Sequence, residues 1–472
     1  MMKNTILTLT AILCMSFNYS LSAHTVNSSK RQKTKVSIPS EIQSQIDKMT
    51  KQEIKIQGGK KIGSVPMNIF KPLGNVTTKE LKSLKKSFES LTPPHNNFKN
   101  NMGLIRRYID VLDMAYEISG DIWFLDKMIE CCDHMIDGQN GPGKYKSLTG
   151  NYDYFWPTKF KYKDGEIIVN MALFSNGIIV KRLSRVAEII FDNPQIKDKE
   201  TPVRDEFNLG KTYQERALVY LDRATKTMDF LVDLCYEKES GLMVYPEEYK
   251  WSDRPDFVGI APAWNRYFMQ GVGLMQTAIT LQKIGKSPKK VRLYHQITQK
   301  MVNEFFTTVK RSTKNGKPVY WWPYNYYFSP NRAEDAHAWF DIDLMVQFYR
   351  SEQYQITSDM MTPFVNTYLE VMYQGNGRLS NNIDGSGAIK TSQGGIAWLH
   401  LLEFNPEIYE IMTSHYMSRT KMNGREFGEL LYAKYLMKKF HPDYQWKNLL
   451  DPTMLKNKKA SKRKMSSKRK KS

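Results

Sequence analysis

The amino-acid sequence predicts an all-α fold in which helical hairpins form a toroid of inner and outer helices with little β-structure. Apolar residues recur at spacings of three and four, as in Leu104, Tyr108 and Val111, which is typical of amphipathic helices. Such segments come in pairs joined by short turns, for example at 119–121 and 285–287, as antiparallel neighbours do. The pairs recur every ~60 to 90 residues, which favours a ring of repeated hairpins.

The predicted helices follow one another along most of the chain. They lie near 104–115, 124–136, 169–191, 213–235, 263–283, 289–310, 333–350, 358–373, 393–413 and 424–440. We expect the first helix of each pair inside the ring and the second outside it. Residues 78–91 are a candidate for a further pair, so the (α/α) toroid has five, six or seven hairpins and is an incomplete barrel. Short strands are expected near 319–322, and no large sheet is expected. An open helical solenoid that binds a protein partner is the alternative.

The charge of the chain is concentrated at its ends. The 69 Lys and Arg against 48 Asp and Glu give a net charge of +21, but residues 61–455 carry only +5. Ten basic residues and no acidic one lie in 456–472. Because the basic charge does not belong to the folded part, we expect no nucleic-acid partner. A hydrophobic fraction of 41% and an aromatic fraction of 12% exclude a disordered chain.

The N-terminus has the pattern of a cleaved signal peptide. Lys3 precedes an apolar stretch over 6–17, and the small residues of 21–23 supply a cleavage site. We therefore expect export to the periplasm or the medium, with no transmembrane helix after the signal is removed. Three cysteines remain after cleavage, and an odd number that includes an adjacent pair, Cys131 and Cys132, favours a buried apolar role over disulfides.

The remaining domain boundaries follow from composition. Residues 24–64 are a polar, Lys-rich leader, 65–450 form the toroid and catalytic domain, and 451–472 are a disordered basic tail. The tail is expected to contact anionic polymer or lipid surfaces, or to be solvated without a dedicated partner.

Four loops that lead into predicted inner helices are rich in Tyr, Trp and Asn. They are 151–156, 261–267, 320–327 and 381–387. Aromatic faces stack on sugar rings, while Asn, Asp and Arg hydrogen-bond to hydroxyls and carboxylates. The loops therefore predict a carbohydrate cleft at one end of the barrel, although for any single ring a place in the core is an equal alternative.

The densest polar constellation lies in 331–341. On a helix Glu334, His337 and Asp341 share one face, and three ionisable side chains facing one way rarely serve packing. His337 is therefore the best catalytic candidate, and Asp335 or Asn331 is an alternative helix cap. Glu334 and His337 are also half of a helical di-metal motif, but no second copy occurs in a matching place. We expect no cofactor, with a structural or catalytic divalent cation as the alternative.

These features resemble a known group of enzymes. The alternating hairpins, the helix start at 262–267 and the run 334–337 are similar to those of exported (α/α)-toroid carbohydrate-active enzymes. Over roughly 95–440 the chain most resembles α-toroid polysaccharide lyases of the alginate and glucuronan lyase type, with some likeness to the helical domain of glucuronyl C5-epimerases. The resemblance implies that the protein cleaves an acidic, uronic acid-containing polysaccharide by β-elimination.

The resemblance also implies three catalytic roles. Arg266, Asn265 and Arg332 are suited to neutralising the substrate carboxylate. His337 or a tyrosinate is suited to removing the proton, and Tyr267 or Tyr324 to protonating the leaving oxygen. The predicted catalytic set is His337, Tyr267, Tyr324, Arg266, Asn265, Glu334 and Asp335. The predicted substrate-binding set is Arg332, Trp264, Trp321, Trp322, Trp156, Tyr154, Asn325 and Asp341.

Two other functions use the same cleft. An inverting glycoside hydrolase needs two carboxyl groups about 6.5–9.5 Å apart, and its candidates here are Asp256, Glu334, Asp335, Asp341 and Asp384. A non-catalytic glycan-binding surface protein would keep the aromatic loops alone. The mixture of His, Arg, Asn and Tyr in a basic chain, which attracts a polyanion, favours elimination.

Overall fold

The computed structural model describes residues 75–91, 93, 101–163, 166–171, 173–251, 255–327, 337–391, 396–418, 422–447, 450 and 452–454. The predicted signal peptide, the leader up to residue 64 and the basic tail after 454 lie outside the described residues. Among the described residues, no helix is long and apolar enough to cross a membrane.

Helices dominate the described chain, as predicted. The α-helices are α1 Thr78–Phe88, α2 Asn101–Ser119, α3 Ile122–Asp137, α4 Asn176–Phe191, α5 Pro194–Lys197, α6 Tyr213–Cys235, α7 Trp264–Lys283, α8 Pro288–Thr308, α9 Ala338–Arg350, α10 Ser358–Asn366, α11 Glu407–Met417 and α12 Gly424–Phe440. A π-helical turn, Thr367–Met372, continues α10, and the 3₁₀ segment Ile396–Glu403 precedes α11. Further 3₁₀ turns are Leu173–Ser175, Glu247–Trp251, Pro255–Phe257 and Pro452–Met454.

The strands form small antiparallel hairpins. They are β1 Pro157–Lys163 with β2 Glu166–Met171, β3 Tyr236–Glu237 with β4 Leu242–Met243, β5 Lys310–Lys314 with β6 Lys317–Trp321, and β7 Arg378–Ser380 with β8 Ile389–Thr391. Each described sheet has two strands, which confirms the expectation of little β-structure.

Local sequence sets several helix starts. Thr77 and Glu80, Thr212 and Glu215, and Asn423 and Glu426 each form a capping box. In each box the first side chain accepts a hydrogen bond from the backbone N–H three residues on, and the glutamate accepts one from the cap residue. These reciprocal bonds satisfy N–H groups that the helix itself leaves unpaired.

Six inner elements pack side by side into a closed ring. In order they are α2, α4, α7, α9, the 3₁₀ segment 396–403 and α12, and α12 packs against α2 again. The outer elements α3, α6, α8, α10 and α11 each follow an inner one, and α1 covers α12 from outside. The structure is therefore a toroid of six inner–outer pairs, and its sixth pair joins the first and last helices of the described chain.

The closure depends on buried polar contacts between distant residues. Lys434 on α12 donates to both oxygens of Glu80 on α1, at 2.8 and 3.0 Å, with both side chains buried. Tyr432 on α12 donates to Glu117 on α2 at 2.9 Å. These contacts hold the two ends of the chain together across more than 300 residues of sequence.

The backbones of α4 and α7 approach each other closely at two glycines. A methyl group on Gly177 would lie 2.1 Å from the carbonyl oxygen of Met269, and one on Gly273 would lie 2.6 Å from the carbonyl oxygen of Gly177. Such distances leave room only for hydrogen atoms, so glycine at both positions allows the two backbones to touch.

Two helix predictions are wrong in detail. Residues 166–171 form strand β2, whose β-branched run Ile167 to Val169 suits a strand better than a helix. The helix predicted over 393–413 is interrupted before Pro406, because a residue that precedes proline is disfavoured in helical geometry. The helix 424–440 is consequently an inner helix paired with α1, not the outer partner of 393–413.

The cysteine prediction is confirmed. Cys131, Cys132 and Cys235 are buried and free. Their thiols lie among apolar side chains of the core, and burial raises their pKa values, which keeps them protonated and unreactive.

Candidate functional site

The N-terminal ends of the inner helices α7 and α9 meet the loop that follows strand β6. The backbone N–H of Trp264, the first residue of α7, donates to the carbonyl oxygen of Tyr324 in that loop at 3.3 Å. Arg266 lies in the first turn of α7, and His337 is the residue before α9. We call this end of the ring the mouth.

Arg266, Tyr324 and His337 lie together at the mouth. The ring centroids of Tyr324 and His337 are 5.5 Å apart with an interplanar angle of 42°. The half-buried guanidinium of Arg266 donates to the hydroxyl of Tyr245 at 3.2 Å and also interacts electrostatically with Tyr324. Burial alone would lower the pKa of Arg266, but the two phenols hold it above its ordinary value.

Tyr245 is a mouth residue that the sequence analysis missed. Its ring lies 4.6 Å from the ring of Tyr249, 5.2 Å from that of Phe257 and 5.0 Å from that of Phe174, measured between centroids. Its backbone is paired with Ile260 just before the loop that enters α7. The available signal was the pair of tyrosines Tyr245 and Tyr249, which precede the loop 261–267 in the sequence.

The position of Tyr267 contradicts its predicted role as an acid. The side chain is fully buried, and its hydroxyl accepts a hydrogen bond from the backbone N–H of Met243 at 3.2 Å. Burial also raises the pKa of this phenol. Because the hydroxyl has no exposed surface on which a substrate oxygen could lie, Tyr267 belongs to the core.

Three of the predicted stacking tryptophans are also core residues. Trp156, Trp264 and Trp322 have at most 2% of their surface exposed, so neither ring face is free for a sugar. The indole N–H of Trp156 donates to the carbonyl oxygen of Met135 at 2.6 Å. That of Trp322 donates to the fully buried Asp341 at 2.9 Å, which gives Asp341 a structural role.

Two predicted binding rings keep partly exposed faces beside cations. Trp321 is half-buried, with the ammonium group of Lys310 4.5 Å from its centroid. Tyr154 is half-buried between Arg223 and Lys226 of the outer helix α6, at 5.1 and 5.2 Å. Trp321 ends the strand that leads to the mouth, whereas Tyr154 lies on the outer helix layer.

The two predicted asparagines are buried and support the backbone. Asn265 accepts from the backbone N–H of Arg266 at 2.7 Å. Asn325 donates to the carbonyl oxygen of Ala261 at 3.3 Å and accepts from the N–H of Tyr327 at 3.0 Å. Both amides therefore fix the loops around the mouth. The predicted site residues Arg332, Glu334 and Asp335 lie outside the described residues.

Below the mouth, the inner helices bring charged side chains into the lumen of the ring. Arg182 on α4 binds both carboxylate oxygens of Asp110 on α2, and Lys181 lies 3.3 Å from the same carboxylate. Burial would raise the pKa of Asp110, but Arg182 and Lys181 lower it to about 2. Asp110 is therefore an ionised group in the lumen at neutral pH.

A second group of charged side chains comes from α9, the 3₁₀ segment 396–403 and α12. Asp343 lies 3.0 Å from Nδ1 of His400, and Glu429 accepts from Nε of Arg425 at 2.7 Å. Burial of Asp343 would raise its pKa, but the interaction with His400 outweighs burial and the pKa is lowered. For Glu429 the effect of burial exceeds that of Arg425, and the pKa is raised. Two carboxyl groups with opposite shifts are suited to acid and base roles. We call Asp343, His400 and Glu429 the lumen triad.

The lumen triad lies close to the mouth along the ring axis. Asp343 is six residues beyond His337, which corresponds to about 9 Å along α9. Sequence analysis missed the triad because its members come from three separate elements. The sequence does contain an indication of the triad, because Asp343 and Glu429 lie within largely apolar helices. Ionisable residues in such helices are rarely buried without a partner.

Further ion pairs link the inner helices α2, α4 and α7. Arg185 donates to Asp113 at 3.1 Å and to Glu188 at 2.8 Å, and Lys283 donates to Glu188 at 2.6 Å. Burial opposes ionisation of Glu188, but Arg185 and Lys283 lower its pKa to about 2. These pairs connect α2, α4 and α7 through charged side chains. Within the described ranges, no group of three or more His, Cys, Asp or Glu is arranged as a metal site.

The fold and the mouth together define an all-α toroid with a polar, ionisable lumen. No family model matches the chain, and no curated protein matches it in sequence. Among solved structures, the chain is similar to polysaccharide lyase BACCELL_00875, with a TM-score of 0.35 and 12% identity over 78% of this chain and 98% of that one. It is also similar to a glycosyl hydrolase family 88 protein from Bacteroides vulgatus, with a TM-score of 0.35 and 10% identity over 77% and 98% of the two chains.

Proposed function

We propose that the protein is an exported enzyme that cleaves an acidic, uronic acid-containing polysaccharide by β-elimination at the mouth. The observation that supports this most is the grouping of Arg266, Tyr324 and His337, which come from two inner-helix ends and the loop between them. The group combines a fixed cation, a phenol and an imidazole within reach of one another.

The chemistry of elimination assigns a role to each group. The guanidinium of Arg266 pairs with the substrate carboxylate and so acidifies the proton on the adjacent carbon. His337 accepts that proton as the base. The freed electron pair forms a double bond to the next ring carbon, while the bond from that carbon to the bridging glycosidic oxygen breaks. Tyr324 donates its proton to the leaving oxygen, and the nearby Arg266 stabilises the resulting phenolate.

A second candidate function is supported by the lumen triad. In an inverting hydrolase one protonated carboxyl group donates to the leaving oxygen, while a carboxylate on the other side activates water. Glu429, with its raised pKa, suits the acid, and Asp343, with its lowered pKa, suits the base. This pair replaces the exposed Asp256 and Asp384 and the buried Asp341 as the structural candidates for hydrolysis.

Paired variants distinguish the two mechanisms. For elimination, Tyr324→Phe and His337→Ala should each reduce turnover by about 10²- to 10⁴-fold, the usual contribution of a general acid or base. Asp343→Asn and Glu429→Gln should then retain most of the turnover. The reverse pattern would support hydrolysis in the lumen, and unchanged turnover in all four variants would remove both assignments. Thermal unfolding of each variant controls for folding.

A further inference from the structure

Strands β5 and β6 form a hairpin with an unusual charge, which we call the basic hairpin (310–321). Every residue of β5, from Lys310 to Lys314, is exposed. Pairing places Lys310 opposite Trp321, Arg311 opposite Tyr320 and Lys314 opposite Lys317. Residues directly opposite in an antiparallel pair share a face, so cations and rings lie side by side.

The hairpin is firmly attached to the ring. The hydroxyl of Thr367 accepts from the backbone N–H of Tyr320 at 2.9 Å and donates to its carbonyl oxygen at 2.6 Å. Near the turn, Lys317 and Asn315 both bind Glu370, at 2.5 and 3.0 Å. The strand orientation is therefore fixed by contacts with the helical turn 367–372, and the exposed strand β5 is held in place.

Three cations of the hairpin have no ionic partner among the described residues. In the part of the chain that the structure describes, no carboxylate lies within 4.0 Å of Lys310, Arg311 or Lys314, whereas Lys317 is neutralised by Glu370. Lys310 lies 4.5 Å from the centroid of Trp321, and Arg311 lies 5.9 Å from that of Tyr320. Lys310 and Lys314 thus offer uncompensated positive charge on the face that carries the half-buried ring of Trp321, whereas Arg311 lies on the opposite face beside Tyr320.

The hairpin is continuous with the mouth. Strand β6 ends at Trp321, and Tyr324 of the mouth follows three residues later, at most about 10 Å of extended chain away. A polymer bound along β5 could therefore reach the mouth without leaving the protein surface.

We propose that the basic hairpin is an ancillary binding surface for an anionic polysaccharide, which holds a stretch of the chain outside the mouth. The cations bind carboxylate or sulfate groups, and Trp321 offers an apolar face to a sugar ring. The substrate class rests on the proposed function, but binding to the hairpin does not require turnover. Anionic lipid would match the charge alone, and single-stranded nucleic acid would match the charge and the ring; a polysaccharide matches both and is also the proposed substrate of the adjacent mouth.

The test compares two matched triple variants of the full chain. The hairpin variant removes the hairpin cations and is Lys310→Ser/Arg311→Ser/Lys314→Ser. The control variant removes three exposed cations around the start of α8, at the opposite end of the ring, and is Lys286→Ser/Lys289→Ser/Arg292→Ser. Binding is measured by electrophoresis through gels that contain alginate, polygalacturonate or uncharged dextran, at several salt concentrations. Each variant is also tested with anionic phospholipid vesicles and single-stranded DNA.

We expect the hairpin variant to bind at least one acidic polysaccharide about tenfold more weakly, with a smaller dependence on salt, and the control to change less than twofold. Equal binding by both variants would overturn the proposal. A loss confined to vesicles or DNA would overturn it as well, by assigning the surface to another partner. Hairpin-dependent binding without any polymer cleavage would leave this inference standing and refute the proposed activity, whereas cleavage with hairpin-independent binding would do the opposite.

Discussion

Replacing Lys434 with methionine removes the ion pair that joins the first and last described helices of the ring. Lys434 and Glu80 have side chains that are 1% and 4% exposed, and the ammonium group lies 2.8 and 3.0 Å from the two carboxylate oxygens. The variant leaves the Glu80 carboxylate buried without its cation. Breaking a buried pair in this way costs about 3–5 kcal/mol.

The loss is measurable as a change in thermal stability. A change of 1 kcal/mol moves the Tm of domains of 150–250 residues by about 2–4 °C, and roughly half as much in a domain of this length, so Lys434→Met should lower the Tm by about 3–10 °C. Circular dichroism in the far ultraviolet follows the transition. Lys438→Met on the same helix removes an exposed lysine and is the matched control, for which we expect no change.

A second variant separates the buried charge from the lost contact. Glu80→Gln combined with Lys434→Met removes both charges and keeps an acceptor oxygen for Thr77, whose N–H and hydroxyl donate to Glu80 at 2.7 and 2.9 Å. The double variant should therefore be more stable than Lys434→Met alone. A Tm for Lys434→Met within 1 °C of the wild type would refute the idea that this pair closes the ring.

Three further predictions concern the core and the outer layer. Gly273→Ala should cost about 1–3 kcal/mol in urea unfolding, because the new methyl group would meet the Gly177 carbonyl oxygen at 2.6 Å. Burial raises the pKa of Asp126 from 3.8 to about 6. The stabilisation from the protonated Asp126 is therefore complete below pH 3.8 and is lost as the pH rises through 6. Asp126→Asn should raise the Tm at pH 7.5 and match the wild type at pH 4. Tyr267→Phe should cost about 1–3 kcal/mol by leaving the Met243 N–H unpaired, while turnover of the folded protein stays unchanged.

Each of these predictions has an outcome that contradicts it. The reference for urea unfolding is Gln282→Ala, which changes an exposed residue on the same helix as Gly273. Equal unfolding midpoints for Gly273→Ala and Gln282→Ala would show that the helix crossing tolerates a methyl group. Asp443→Asn, an exposed carboxylate, should show no pH-dependent difference, and a pH-independent effect of Asp126→Asn would argue against a raised pKa. A complete loss of turnover in a stably folded Tyr267→Phe variant would show that Tyr267 has a catalytic role.

Much of the helical architecture could be predicted from the sequence because apolar spacing reports which face of each helix is buried. The periodicity located most helices, and the repeated hairpins implied a ring with first helices inside. The identity of the closing pair could not be predicted, since the contact of Lys434 with Glu80 joins residues 354 positions apart. Spacing along one helix contains no information about such a partner.

The candidate site was only partly predictable, for related reasons. Arg266, Tyr324 and His337 were found because their loops have an unusual composition. Composition does not distinguish a ring that faces a cleft from one that faces the core, so the buried Trp322 was taken for a binding residue. The lumen triad was missed because its opposite pKa shifts arise from burial and from contacts between different helices.

The proposed reaction is tested most directly by the products. The protein is incubated with polyuronates, acidic glycosaminoglycans and neutral glycans, and ultraviolet absorbance and new reducing ends are measured in the same samples. β-Elimination at the mouth predicts new reducing ends together with the absorbance of an unsaturated uronate, and only with acidic polymers. Reducing ends without that absorbance would contradict elimination and transfer the catalytic role to Asp343 and Glu429.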